Sequence, residues 1–158
     1  MSPAVTPDPY APLRLENQLC FPLYACAREI IKLYKPALDE IDLTYTQYIA
    51  MMVLWEQGEV TAGVLGDRLR LDSGTLTPML KKMELKGLLT RRRDEKDERS
   101  LLVALTPAGE ALKDRALSIP PYIGGQVHLE PQEAGTLYTL LYKILNQSAE
   151  GEHANGPQ

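Results

Sequence analysis

Apolar residues recur at helical spacing along most of this chain, and breakers divide the pattern into short elements. Leu15, Leu19, Leu23, Ile30 and Leu33 fall on one side of a helix, with Arg28, Glu29 and Lys32 between them. Proline is tolerated in a first helical turn but costs ~3 kcal/mol in the interior, so Pro22 sets the start of the regular helix near Leu19 to Phe21. Cys20 then lies at or just before the N-terminus. Lys35-Pro36 is expected to end or kink this helix. Thr44 caps a second helix running through Tyr48, Met51, Met52, Leu54 and Trp55. Thr61 caps a brief helix over 62–69, and Asp72-Ser73 caps another that runs to about Lys86 and stops at Gly87. Two short helices joined by a tight turn describe a helix-turn-helix.

Beyond Gly87 the pattern changes period. Leu88-Leu89 leads into Arg91-Arg92-Arg93, a polar stretch over 94–100 and the strand-like run Leu101-Leu102-Val103-Ala104-Leu105, which predicts a β-hairpin with a charged tip. A further helix is expected after Thr106, with Pro107 at its first position. A turn containing Pro120, Pro121, Gly124 and Gly125 follows, and then a last helix over 130–147 with Leu137, Leu140, Leu141, Ile144 and Leu145 on one side. Four prolines within the first twelve residues predict a flexible arm over 1–12, and 149–158 reads as a flexible tail. The predicted class is mainly α with a small β-hairpin wing, a winged helix-turn-helix.

Composition narrows the chemistry. With 44% hydrophobic and 24% charged residues, the 158-residue chain has the make-up of a single globular domain. Two cysteines and two widely spaced histidines, His128 and His153, exclude a four-cysteine zinc site and a multi-bridge disulfide scaffold, and no cofactor is expected. No stretch approaches the ~20 apolar residues that span a bilayer, and the first residues lack a secretory pattern, so no membrane partner and a cytoplasmic location are expected.

The net charge of −4 hides an uneven distribution. Between Arg68 and Arg93 eight basic residues face only two acids, an excess of six, which leaves −10 on the remainder. A basic island on an acidic body is the footprint of a protein that presents one face to a polyanion. On a wheel of ~100° per residue, Leu76, Met79, Leu80 and Met83 share one side of the fourth helix. Thr77, Pro78, Lys81 and Lys82 share the other, with Ser73 and Thr75 near the helix start. Short hydroxyls and two cations suit a DNA major groove. Arg93 and Arg99 flank the wing, where an arginine can enter a minor groove. The acids at the wing tip dilute that charge, and Asp97 among them is expected to be structural, orienting an arginine.

Cys20 is the candidate reactive group. A thiol at a helix N-terminus gains thiolate character from the helix dipole and the free N–H groups, which favours reaction with peroxide. The same residue type is equally at home as an inert packing group, and spacing alone does not choose. Cys26 lies six residues along the helix, a rise of ~9 Å, beyond the ~7 Å Cα separation a disulfide permits, so an intrachain Cys20–Cys26 bond is not expected. Cys26 reads most simply as a buried packing residue.

The stretch Leu71-Asp72-Ser73-Gly74-Thr75-Leu76-Thr77-Pro78-Met79-Leu80-Lys81, followed by Gly87-Leu88, Asp97-Glu98-Arg99 and Leu105-Thr106, resembles the winged helix of the MarR family of bacterial transcription regulators. Gln18-Leu19-Cys20-Phe21, Tyr34-Lys35-Pro36 and Leu43-Thr44-Tyr45-Thr46-Gln47-Tyr48 resemble its organic-hydroperoxide-sensing branch. The resemblance covers about Leu13 to Thr106. It implies a MarR-like homodimer on double-stranded DNA with a pseudo-palindromic operator, built from one domain over 13–148. In that domain 44–105 form the winged helix-turn-helix, and 13–43 and 106–148 form dimerisation helices. It further implies that Cys20 is the redox sensor, that Tyr34 and Tyr45 hydrogen-bond its thiolate across the dimer interface, and that an organic hydroperoxide is the effector. Tyr24, one turn after Cys20, is expected to line the same pocket. Members that form an intersubunit disulfide carry a second cysteine in the C-terminal half. None follows Cys26 here, so the chain resembles the one-cysteine type, whose sulfenic acid passes to a mixed disulfide with a small cellular thiol or to over-oxidised forms. Three rival readings remain at this stage: a regulator of the same fold that answers to a small aromatic ligand, a thiol peroxidase enzyme, and an architectural DNA-coating protein.

Overall fold

The computed structural model describes residues 8–154, with side chains described for 8–147. The chain divides into two compact units, Met1–Ile123 and Gly124–Gln158. In the first unit two 3-10 turns, Ala11–Leu13 and Leu15–Asn17, precede helix α1, Cys20–Glu40. Helix α2 (Tyr45–Gln57), strand β1 (Val60–Thr61) and helices α3 (Ala62–Leu69) and α4 (Ser73–Leu85) follow. Strands β2 (Leu89–Arg93) and β3 (Leu101–Leu105), helix α5 (Pro107–Ala116) and helix α6 (Ile119–Gln126), which crosses the division, come next. The second unit is otherwise helix α7, Pro131–Ala154.

The caps form where local chemistry demands them. Thr44 makes a capping box with Gln47, Thr61 accepts from the Val64 N–H, Asp72 from Thr75, and Thr106 from Gly109. Helix α4 closes on Gly87 at φ 72°, where the Gly87 N–H donates to Glu84 O (2.8 Å) and the Leu88 N–H to Met83 O (3.1 Å).

Four expectations need correction. Pro36 does not end α1, which continues to Glu40. The Lys35–Asp39 ion pair (2.8 Å) bridges the proline turn, and the buried Leu38 holds the last turn in the core. The turn expected at Pro120-Pro121 is helix α6, because both prolines fall in its first turn, where no backbone N–H is missed. The hairpin is a three-stranded antiparallel sheet in the order β1-β3-β2, since Val60 and Thr61 pair with Val103 and Leu102. Two residues are too few for a period-2 signal to stand out. At the ends, Asp8 to Asn17 form ordered turns tied by an Arg14–Asp8 ion pair (2.7 Å), and α7 runs past 148 to Ala154. Residues 1–7 of the expected arm and 155–158 of the expected tail lie outside the described residues.

The core of the first unit is formed by Met51, Leu54, Leu65, Leu80, Met83, Leu89, Val103 and Ile119, all below 2% exposure. Burying each such side chain contributes roughly 1.5–3 kcal/mol relative to leaving it in water. Gln47, buried beside them, is satisfied by the Thr44 capping box. This core fixes α4 and the hairpin as one rigid piece.

Candidate DNA-binding surface and redox site

The fourth helix buries the face the wheel assigned to the core: Leu76, Met79, Leu80 and Met83 are buried. Ser73, Thr75, Thr77, Pro78, Lys81 and Lys82 are exposed. Thr75 is less free than expected, because its hydroxyl donates to the Asp72 carboxylate (3.0 Å) and its N–H donates to the same group (2.9 Å). Those hydrogen bonds hold the Asp72 carboxyl below its ordinary pKa.

Tertiary structure sorts the basic island into two classes. Arg68 pairs with Glu56 (2.8 Å), Lys86 with Asp42 (3.0 Å), Arg91 with Glu84 (2.7 Å) and Arg92 with Glu59 (3.0 Å). Arg91 is the most enclosed of these, at 17% side-chain exposure. Its N–H and guanidinium all donate to Glu84, which fastens β2 to α4 and holds the Glu84 carboxyl below its ordinary pKa. Arg70, Lys81, Lys82 and Arg93 have no ion pair among the described residues. Arg70, one of the eight cations of the island, is exposed. It occupies the left-handed region (φ 52°) in the turn just before α4, a conformation no periodicity reveals.

In the wing, the Asp97 carboxylate accepts from the Arg99 N–H (3.1 Å) and the Ser100 hydroxyl (2.8 Å), so Asp97 shapes the turn and does not orient an arginine side chain. Arg93 donates to Glu98 O (3.1 Å), bracing the loop from below. Arg99 is exposed.

Cys20 is the first residue of α1, and Leu19 supplies no side-chain cap. Both Cys20 and Cys26 are free and exposed in the single chain, which corrects the expectation that Cys26 is a buried packing group. Because α1 is unbroken between them, the ~9 Å rise that forbids an intrachain disulfide holds. Tyr24 is exposed and its hydroxyl accepts from Arg28 (2.9 Å), whose guanidinium lies 5.5 Å from the ring centre.

Tyr34 and Tyr45 come together as an edge-on pair with ring centres 5.0 Å apart, and Tyr48 joins at 6.0 Å from Tyr34. Burial pushes the Tyr34 hydroxyl above its ordinary pKa, with neighbouring Tyr45 adding to the shift, and burial alone raises that of Tyr45. Both therefore remain protonated donors at neutral pH. A groove of about 280 Å³ at Tyr45 is lined by Ile31, Leu38 and Leu43 and by the polar Lys32, Lys35, Asp39 and Thr44. Tyr34 lies 14 residues from Cys20 along one continuous helix, a rise of ~21 Å. Cys20 and this tyrosine pair thus cannot meet within one chain.

A buried helix-turn-helix core, an outward helix face with unpaired lysines, and an arginine-flanked hairpin define a winged-helix DNA-binding protein. A family model described as transcriptional regulator SarA/Rot matches residues 32–116. The organic hydroperoxide resistance transcriptional regulator of Bacillus subtilis (strain 168) is 50% identical over 133 residues, 84% of this chain and 90% of that protein. Among solved structures, AbfR bound to DNA is similar in its reduced form (32% identity, TM-score 0.71, 85% of this chain and 94% of that one) and in its overoxidised form (33%, 0.70, 85% and 95%). A mutant MarR from E. coli complexed with operator DNA aligns at 25% identity and TM-score 0.77, over 87% of this chain and 99% of that one. The chain belongs to the MarR family of transcription regulators, alongside the organic hydroperoxide resistance regulators. It is a transcription regulator, not an enzyme, which removes the thiol-peroxidase reading. Among the described residues no helix is long and apolar enough to cross a membrane.

Proposed function

We propose that this protein is a homodimeric repressor that releases a pseudo-palindromic operator in double-stranded DNA when an organic hydroperoxide oxidises Cys20. The observation that carries the reading is the separation along α1. The helix holds Cys20 about four turns from the Cys20 chain's own Tyr34, while Tyr34 and Tyr45 stand paired as protonated donors beside an open groove. A second copy supplies the missing thiolate: Cys20 of each protomer seats on the tyrosines of the other, and the two sensing sites are completed by assembly. Exposure of Cys20 and Tyr24 in the single chain supports this, as do the redox states named for AbfR and the organic hydroperoxide resistance named for the Bacillus relative.

The DNA-facing set is Ser73, Thr75, Thr77, Pro78, Lys81 and Lys82 on α4, with Arg93 and Arg99 at the wing and Asp97 shaping it. Oxidation adds bulk and polarity at the dimer contact and removes the tyrosine hydrogen bonds. This shifts the spacing of the two reading helices. Losing about a hundredfold in operator affinity requires only ~2.7 kcal/mol of differential stabilisation. With no thiol in the chain beyond Cys26, the sulfenic acid is capped by a small cellular thiol.

The test is binding to DNA from upstream of the protein's own gene, before and after stoichiometric cumene hydroperoxide, with Cys20→Ser alongside. Wild type is expected to bind when reduced and release on oxidation, while the serine variant stays bound. Release of the serine variant by peroxide would overturn the redox reading and favour the small-ligand alternative.

A further inference from the structure

Helices α1, α3 and α4 end the same way. After α1 the Asp42 N–H donates to Asp39 O (3.2 Å) and the Leu43 N–H to Leu38 O (3.0 Å), and the Gly87 and Leu88 N–H groups repeat the pattern after α4. After α3 the Arg70 N–H donates to Asp67 O (3.2 Å) and the Leu71 N–H to Gly66 O (2.9 Å). Each motif puts its turning residue in the left-handed region, at φ 52° for Asp42, 52° for Arg70 and 72° for Gly87. Glycine takes that conformation freely and aspartate tolerates it, whereas a long side chain there is strained. Arginine is the poor fit among the three, so the backbone gives no reason for its presence.

Intramolecular contacts give none either. Arg70 is exposed, and its guanidinium makes no hydrogen bond or ion pair among the described residues. Neither nearby acid holds it. Asp67 forms no ion pair among the described residues, and the Asp72 carboxylate is taken by the Thr75 N–H (2.9 Å) and hydroxyl (3.0 Å). Strain kept at an exposed, unpaired residue points to use of its side chain by something outside the fold.

Its position says what that is. Arg70 stands three residues ahead of Ser73, where α4 begins, while Lys81 and Lys82 lie in the third turn of that helix. From Ser73 to Lys81 the helix rises about 12 Å, the width of a DNA major groove. Seated there, α4 carries cations beyond both ends of its hydroxyl-bearing face, one set at each phosphate wall.

We propose that Arg70 is a phosphate-binding residue that holds the DNA backbone on the side of the major groove opposite Lys81 and Lys82, and that α3 keeps a strained turn to present it. The planar guanidinium suits two oxygens of one phosphate. The proposal rests on α4 as the reading helix and is independent of Cys20 oxidation.

The test uses reduced full-length protein, DNA from upstream of its own gene, and an unrelated duplex of the same length. Affinity is measured between 50 and 200 mM salt for wild type, Arg70→Gly and Arg70→Lys. Arg70→Gly removes the cation and relieves the turn, so Tm is expected to hold or rise. Its slope of log affinity against log salt falls by about one per protomer, and its deficit on both duplexes narrows about tenfold across that salt range. Arg70→Lys keeps the slope. Neutral methylphosphonate linkages, placed on one strand at a time, cease to penalise Arg70→Gly on the strand opposite the one where they cease to penalise Lys81→Ala.

An unchanged slope in Arg70→Gly overturns the proposal and leaves Arg70 as a C-terminal cap of α3. A deficit confined to the upstream DNA assigns a base contact and overturns the phosphate assignment, and a lowered Tm overturns the strained turn. Loss of sensitivity at the same phosphates in both variants overturns the placement on opposite sides. If wild type itself shows no salt-dependent binding to either duplex, α4 as the reading helix fails and the proposal fails with it.

Discussion

Gly109 shows how a single position carries a long-range constraint. A Cβ built there would lie 2.0 Å from the Leu88 carbonyl oxygen, which already accepts the Thr106 N–H (3.1 Å). The Gly109 carbonyl also receives the Trp55 indole. Any side chain must push α5 away from the β2 start, and the contact is with backbone, which cannot rotate aside. Gly109→Ala is expected to destabilise the fold by about 1–3 kcal/mol, the range for overpacking, and to lower Tm by several degrees in a thermal melt. Nothing around Gly109 in the sequence signals this, because the crowding atom comes from a residue 21 positions earlier. By contrast the caps Thr44, Thr61, Asp72 and Thr106 were legible, since each satisfies an N–H three positions away. Cys20 was legible as a helix-start thiol. Its exposure was not.

At the level of elements, α4 and the hairpin act as one reading unit because Glu84 and Arg91 join them. Counting charge along the chain placed eight cations in one island, but four are spent on acids of α2, the α2–β1 link, α4 and the α1–α2 turn. The remaining cations are the ones free to neutralise phosphate. Lys81→Ala is expected to weaken operator binding and to reduce the slope of log affinity against log salt by about one per protomer. Arg91→Ala should leave that slope unchanged while loosening the wing, seen as faster amide exchange in β2. A slope insensitive to Lys81 would remove this helix face from the phosphate contact. The prolines give the complementary lesson. Pro22 reads as an N-terminal residue, and Pro120-Pro121 sit equally well in the first turn of α6, whereas Pro36 lies inside α1, where the packing of Leu38 outweighs a local penalty of ~3 kcal/mol.

For the molecule as a whole, large apolar side chains remain open on both units. Leu15, Leu19, Phe21, Ile30 and Ile31 are exposed in the first, and Leu137, Tyr138, Leu140 and Tyr142 on α7 in the second. Rows of this kind exceed what a lone folded chain leaves in water and mark surfaces that a partner covers. If a second copy covers them, mass action ties stability to concentration. Tm is expected to rise with protein concentration over a hundredfold dilution series, in step with the dimer fraction from sedimentation. A concentration-independent Tm for a monomeric species would sink the assembled sensing site along with the dimer.

Local physics settled a good deal of this protein from the sequence alone. Helix starts, the inward face of α4, the hairpin and the family follow from interactions spanning a few residues, where periodicity and caps act within reach of their own neighbours. Tertiary structure decided which cations are free, that α1 absorbs Pro36, where Gly109 is obligatory, and that Tyr45 and Tyr48 gather at Tyr34. Those outcomes depend on distances between segments far apart in sequence, and only the packed core fixes such distances.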